Sequence, residues 1–284
     1  MQPVLFSILG LDIQTYGISK AAAAVVAAIL LGRAFRRHGL NKDDAYTFVL
    51  WATVWGFVGA KIYYLLENAS TLTAHHLGGM GFTWYGGLLG GIASALVVMR
   101  RRHLPAATVA DAAMIPLSVA YAIGRIGCWL SGDGTYGKPT SLPWGMPVTH
   151  GVVPTDVAVH PTPLYEALGA LAIAALLWTL ARRQPPPLAV VAGYLFLSGV
   201  ARVAVEFLRI NEPALWGLTQ PQLWSIASIA AGLALGVAVA RRGRRPVDDA
   251  PDGPLRPHKS SSKVDVMPVE SAGPSTQTDR VQTP

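Results

Sequence analysis

Seven long apolar runs, separated by short polar segments, constrain this chain more than any other feature. They cover residues 16–36, 45–66, 82–99, 108–130, 163–181, 188–208 and 222–240. Runs of this kind approach the roughly 20 residues that a helix needs to cross the apolar core of a bilayer. Charged residues make up 14% of the 284 residues, well below the roughly 25% of soluble domains. Mean hydropathy is +0.38. The expected fold is an all-α integral membrane protein of about seven transmembrane helices.

The segments between the runs alternate in charge. Arg33, Arg36, Arg37 and Lys42 follow the first run, and Arg100, Arg101, Arg102 and His103 follow the third. Arg182 and Arg183 follow the fifth, and Arg241, Arg242, Arg244 and Arg245 follow the seventh. The opposite segments, 1–14, 68–81, 131–161 and 211–221, hold almost no Lys or Arg. The excess of Lys and Arg in cytoplasmic loops predicts an outside N-terminus and a cytoplasmic C-terminus. The parity works only if all seven runs are counted. The net charge of +7 resides in these short clusters, so it marks topology and anionic lipid contacts rather than a nucleic-acid partner. The first 14 residues lack a basic n-region, so no cleaved secretory signal is expected. Residues 246–284, rich in Pro, Ser, Asp and Gly without apolar periodicity, read as a disordered cytoplasmic tail behind a membrane domain spanning 1–245. Cys128 is the single cysteine, which excludes an intramolecular disulfide and a multi-cysteine metal site. No metal and no cofactor is expected.

The polar residues in or beside the apolar runs gather on one membrane face under this topology. Tyr16, Lys61, Tyr85, Arg125, His160, Tyr165 and Glu166 lie at the outer ends of their runs, and Arg202, Glu206 and Arg209 line the outer half of the sixth. An arginine at membrane depth is expensive, so Arg125 either snorkels and pairs or clamps an anion. Arg202, Glu206 and Arg209 are spaced four and three apart, which puts them on one helix face. That spacing serves an internal ion-pair ladder as well as a ligand site. Two arginines from separate helices, Arg125 and Arg202, could hold one phosphate through bidentate hydrogen bonds. Gly86, Gly87, Gly90 and Gly91 form overlapping Gly-xxx-Gly spacings, which suit either helix packing or a close approach to a ligand. Asp133 in its Gly-rich turn suits capping, and Cys128 suits packing.

Five blocks, in order, resemble the prolipoprotein diacylglyceryl transferase family. They are Trp84-Tyr85-Gly86-Gly87-Leu88-Leu89-Gly90, Gly124-Arg125-Ile126-Gly127, Gly132-Asp133 through Tyr136-Gly137, His160-Pro161-Thr162-Pro163-Leu164-Tyr165-Glu166, and Ala201 through Arg209. The resemblance implies seven transmembrane helices and residence in the bacterial inner membrane. It implies transfer of a diacylglyceryl group from phosphatidylglycerol to the lipobox cysteine thiol of a prolipoprotein. Under it, Arg125 and Arg202 bind the phosphate. Tyr16, Gly86, Gly87, Cys128, Asp133, Gly137, His160, Tyr165, Glu166 and Glu206 join them in substrate binding. Tyr85 stands where the family places a histidine before the double glycine. Cys128 and Ser131 replace asparagines, Asp133 a glutamate, and Ser198 a tyrosine. A tyrosine, with an ordinary pKa near 10, is a weaker base at neutral pH than a histidine. These departures leave two other readings beside the transferase: a divergent transferase with another acceptor, and a non-catalytic phospholipid-binding protein.

Overall fold

The charges at the run ends become helix termini. Helix α1 (Thr15–Arg37) ends on Arg36 and Arg37, α3 (Trp84–Arg101) on Arg100 and Arg101, and α7 (Gln220–Gly243) on Arg241 and Arg242. Cations there complement the negative end of the helix dipole. Helix α2 (Lys42–Glu67) starts at Asn41, whose side chain accepts a hydrogen bond from the Asp43 amide at 3.0 Å. Asp43 and Asp44 in its first turn favour the positive end. Helix α4 (Ala106–Ser131) stops at Gly132, whose left-handed φ of +61° suits a residue without a Cβ. Helix α5 (Thr162–Ala181) opens with Pro163 in its first turn, where the missing amide costs nothing. Helix α6 (Ala189–Glu206) completes the set.

This computed structural model describes residues 1–8, 11–69, 73 and 82–243. Among the described residues there are seven α-helices, and six of them are long and apolar enough to cross a membrane. The exception, α3, carries four glycines and its two terminal arginines within 18 residues. Each helix matches one expected run, with ends agreeing to within three residues. The chain is a multi-pass membrane protein. The expected tail, together with His75 and His76, lies outside the described residues.

Three short antiparallel hairpins extend the all-helical expectation. They are β1 (Val4–Ile8) with β2 (Leu11–Gln14), β3 (Met146–Val148) with β4 (Thr155–Val159), and β5 (Pro213–Leu215) with β6 (Leu218–Thr219). They occupy the links before α1, between α4 and α5, and between α6 and α7. These links share one end of the bundle, where the even-numbered helices finish. The first hairpin is tied there, since the Gln2 amide donates to the Leu130 carbonyl at 2.9 Å.

Small residues set the helix packing. A Cβ on Gly86 would overlap the Gly59 carbonyl and Tyr63 Cβ, and one on Gly90 would overlap the Trp55 carbonyl. The Gly-xxx-Gly spacing thus lets α3 lie backbone to backbone on α2. Gly87 makes only ordinary contact, with Gly56 and Ala60. A core of Leu31, Phe35, Ala45, Val109 and Ala112 joins α1, α2 and α4, and Ile173, Leu177 and Val190 join α5 to α6. Large apolar side chains such as Leu50, Trp51, Phe57 and Leu66 remain exposed, as lipid-facing positions require. At the far end, Asp111 of α4 accepts hydrogen bonds from the Leu188 amide at 2.6 Å and the Val191 amide at 2.9 Å. A carboxylate inside one span therefore caps the first turn of another.

Candidate functional site

The site grows from Glu166, in the first turns of α5. Its side chain is 3% exposed, so its charge must be met by protein groups. Arg125 of α4 approaches with Nε 2.5 Å from Oε2. Arg202 of α6 donates from Nη1 to Oε1 at 2.8 Å. Arg209, just past the end of α6, donates from Nη1 to the same oxygen at 3.0 Å. One carboxylate thus gathers three guanidiniums from separate parts of the chain.

A second carboxylate continues the network. Arg202 Nη2 lies 2.9 Å from Oε2 of Glu206, whose side chain is fully buried. Thr219, at the start of α7, donates to Glu206 Oε1 at 2.9 Å, and Asn211 donates to the same oxygen. The ladder foreseen within α6 exists. It is also linked through Arg202 and Arg209 to Glu166 on α5, so the two readings of that spacing are not exclusive. Three guanidiniums against two carboxylates leave one formal positive charge.

Arg125 sits one helical turn beyond Tyr121, over whose ring its guanidinium lies 5.0 Å from the centroid. Its Nε also donates to Tyr121 Oη at 2.9 Å, and that hydroxyl donates to Glu166 Oε2. Among the described residues, neither Nη group of Arg125 makes a hydrogen bond. A guanidinium carries five N–H donors, and four of them sit on those two nitrogens. Its side chain is 18% exposed.

The loop after α4 fixes the far wall. Asp133 Oδ1 accepts from the Thr135 amide at 3.1 Å and from the Thr135 hydroxyl at 2.6 Å, which is a capping arrangement. The Gly137 amide donates to the His160 carbonyl at 2.9 Å, and the Lys138 amide to the Leu208 carbonyl at 2.7 Å. A Cβ on Gly137 would meet the Leu208 carbonyl, Thr162 and His160, so only glycine lets this loop lie against the segment that carries Arg209. His160 Nδ1 lies 3.4 Å from Tyr165 Oη, and the Trp144 indole donates to that hydroxyl at 2.7 Å.

Of the residues expected from the sequence, Arg125, Arg202, Glu166 and Glu206 form one network, with His160, Tyr165, Asp133 and Gly137 on its flank. Cys128 is buried on α4, in keeping with packing. Tyr16 is exposed near the start of α1. Gly86 and Gly87 lie on the α3 face toward α2. The Tyr85 ring packs 6.3 Å from that of Trp224 on α7. Sequence reasoning passed over Tyr121, whose spacing of four from Arg125 was its only signal. It also passed over Asn211 and Thr219, which lie beyond α6 and carry no periodic mark.

Comparison with known proteins places the chain in a family. The family model described as "Prolipoprotein diacylglyceryl transferase" matches residues 3–238. A phosphatidylglycerol–prolipoprotein diacylglyceryl transferase of Clostridium tetani is 32% identical over 215 residues, covering 74% of this chain and 86% of the relative. The protein of the same name from Clostridioides difficile is 27% identical over 254 residues, 88% of this chain and 100% of the relative. That from Geobacter sulfurreducens is 30% identical over 257 residues, 85% and 96% respectively. With the family match running from the first hairpin almost to the end of α7, this chain belongs to the prolipoprotein diacylglyceryl transferase family.

Proposed function

We propose that this protein transfers a diacylglyceryl group from phosphatidylglycerol to the lipobox cysteine thiol of a prolipoprotein. The site would lie at the outer face of the bacterial inner membrane. The observation that carries the reading is Arg125, held by Glu166 and Tyr121 through Nε and leaving both Nη groups for an anion. In the reaction an S–C bond forms to the glyceryl carbon while its C–O bond to phosphate breaks. The electron pair passes to the phosphate oxygen of the departing glycerol phosphate, and the thiol proton passes to a base. Arg125 meets the added negative charge on that oxygen. Preorganised charge in a water-poor site is worth most at this moment. Arg202 completes the clamp, and Tyr85 is the nearest counterpart of the family's base.

Tyr16, Gly86, Gly87, Cys128, Asp133, Gly137, His160, Tyr165, Glu166 and Glu206 are assigned to substrate binding or to the frame that supports it. The arginine alternation supports an outside N-terminus, a membrane domain over 1–245 and a cytoplasmic tail over 246–284. Complementation tests the reading. A strain depleted of its own diacylglyceryl transferase should regain thioether-modified lipoproteins with this protein, and should not with Arg125→Ala. Failure of the wild-type protein, expressed and inserted, would refute it.

A further inference from the structure

Helix α1 brings a lysine beside Gly124 of α4, the residue before Arg125. Lys20 lies one turn beyond Tyr16, with its ammonium 4.8 Å from the centre of that ring. The same Nζ is 3.4 Å from the position a Cβ on Gly124 would take. It therefore lies at contact distance beside the residue before Arg125. Contact between the helices is close here, because a Cβ on Gly127 would collide with Ser19. Lys20 is half-buried. Arg125, Arg202 and Arg209 are partly neutralised by Glu166 and Glu206, whereas no ion pair among the described residues includes Lys20. The Tyr16 ring is a weaker partner for a half-buried ammonium than an anion would be. A lysine that merely snorkels turns its head to water or to the lipid interface; this one is turned against α4.

We propose that Lys20 is a further cationic contact for the phosphate of the phospholipid donor, on the α1 side of Arg125. The inference rests on the transferase reading for the identity of that donor. The two cations divide the work by their chemistry. Arg125 presents a planar fork, and Lys20 a compact charge with three rotatable donors that can follow a phosphate oxygen toward α1. Together they would favour an anionic headgroup over a zwitterionic one, whose own cation would be repelled.

The test uses the full chain in lipid nanodiscs of phosphatidylcholine with a graded fraction of phosphatidylglycerol. Lys20→Gln, Lys20→Met and Lys20→Arg are compared with wild type. Transfer to a lipobox peptide, retention of phosphatidylglycerol over phosphatidylcholine by native mass spectrometry, and thermal unfolding are measured. Lys20→Gln and Lys20→Met should raise the KM for phosphatidylglycerol about tenfold, as loss of one charge-assisted contact implies. They should leave kcat within about twofold and reduce the selective retention, while Lys20→Arg restores both. Unchanged KM and retention in Lys20→Gln would overturn the proposal. So would a fall in kcat alone with a displaced pH profile, which would place Lys20 at the acceptor thiol. Lowered thermal stability in all three variants with retention unchanged would also overturn it, as a packing role. If wild type retains phosphatidylglycerol in a Lys20-dependent way but transfers nothing, the Lys20 assignment stands and the transferase reading fails. If wild type transfers and Lys20→Gln is indifferent, only the Lys20 assignment fails.

Discussion

Glu166→Gln is the sharpest probe of how this site is held. The substitution keeps the shape and one acceptor oxygen but removes the charge that Arg125, Arg202 and Arg209 share. Three guanidiniums would then face Glu206 alone, and the local formal charge would rise from +1 to +2. Removing one partner of a buried ion pair costs about 3–5 kcal/mol. The arginine side chains are 18%, 22% and 10% exposed, so solvent screens part of the excess. The lower end, about 3 kcal/mol, is expected. For a domain of this size that corresponds to a fall in Tm of roughly 6–12 °C. Thermal unfolding in mild detergent, followed by tryptophan fluorescence and by size-exclusion recovery, measures it. Adding Arg125→Gln returns the local charge to +1, so the double variant should lose less than the two single losses combined. A Glu166→Gln protein that melts within about 1 °C of wild type, or strictly additive losses, would refute this account of the network.

Three other outcomes are expected. Asp111→Ala removes two hydrogen bonds from the first turn of α6 and should lower stability by about 1–2 kcal/mol in the same unfolding assay, with Asp111→Asn milder. Tyr85→His should maintain or raise the rate of thiol transfer near neutral pH, because an imidazole titrates there; loss of transfer would give Tyr85 a role that a histidine cannot fill. Reporter fusions after Gly134 and after Arg245 should report outside and inside respectively, and a shared side would overturn the topology.

The helices were legible in the sequence because an apolar run of membrane length leaves the backbone few options besides an α-helix. The site was legible in part. Topology alone put Arg125, Glu166, Arg202 and Glu206 at one end of the bundle. Which carboxylate meets which arginine depends on how α5 and α6 rotate against α4, and no local pattern encodes that. Thus Glu166 proved to be the hub, although the arginines drew the attention. Tyr121 hid in an apolar stretch where a tyrosine reads as packing. Asp111 was overlooked because its partners, the Leu188 and Val191 amides, belong to another helix and are nameless in sequence. The hairpins escaped because strands of two to five residues, broken by glycine and proline, are too short to show a period of two. The glycines of α3 left packing and ligand approach open until the contacts of Gly86 and Gly90 with α2 showed what their lack of a side chain permits.

This protein is proposed to move a diacylglyceryl group to a thiol. Its most direct test combines the purified full chain, phosphatidylglycerol nanodiscs and a peptide bearing a lipobox cysteine, read by intact-mass spectrometry. The expected result is a peptide mass increased by one diacylglyceryl group on the cysteine sulfur, with release of glycerol phosphate. No such product is expected with Arg125→Ala. An unmodified peptide, under conditions in which the Clostridium tetani relative modifies it, would show that this protein is not such a transferase.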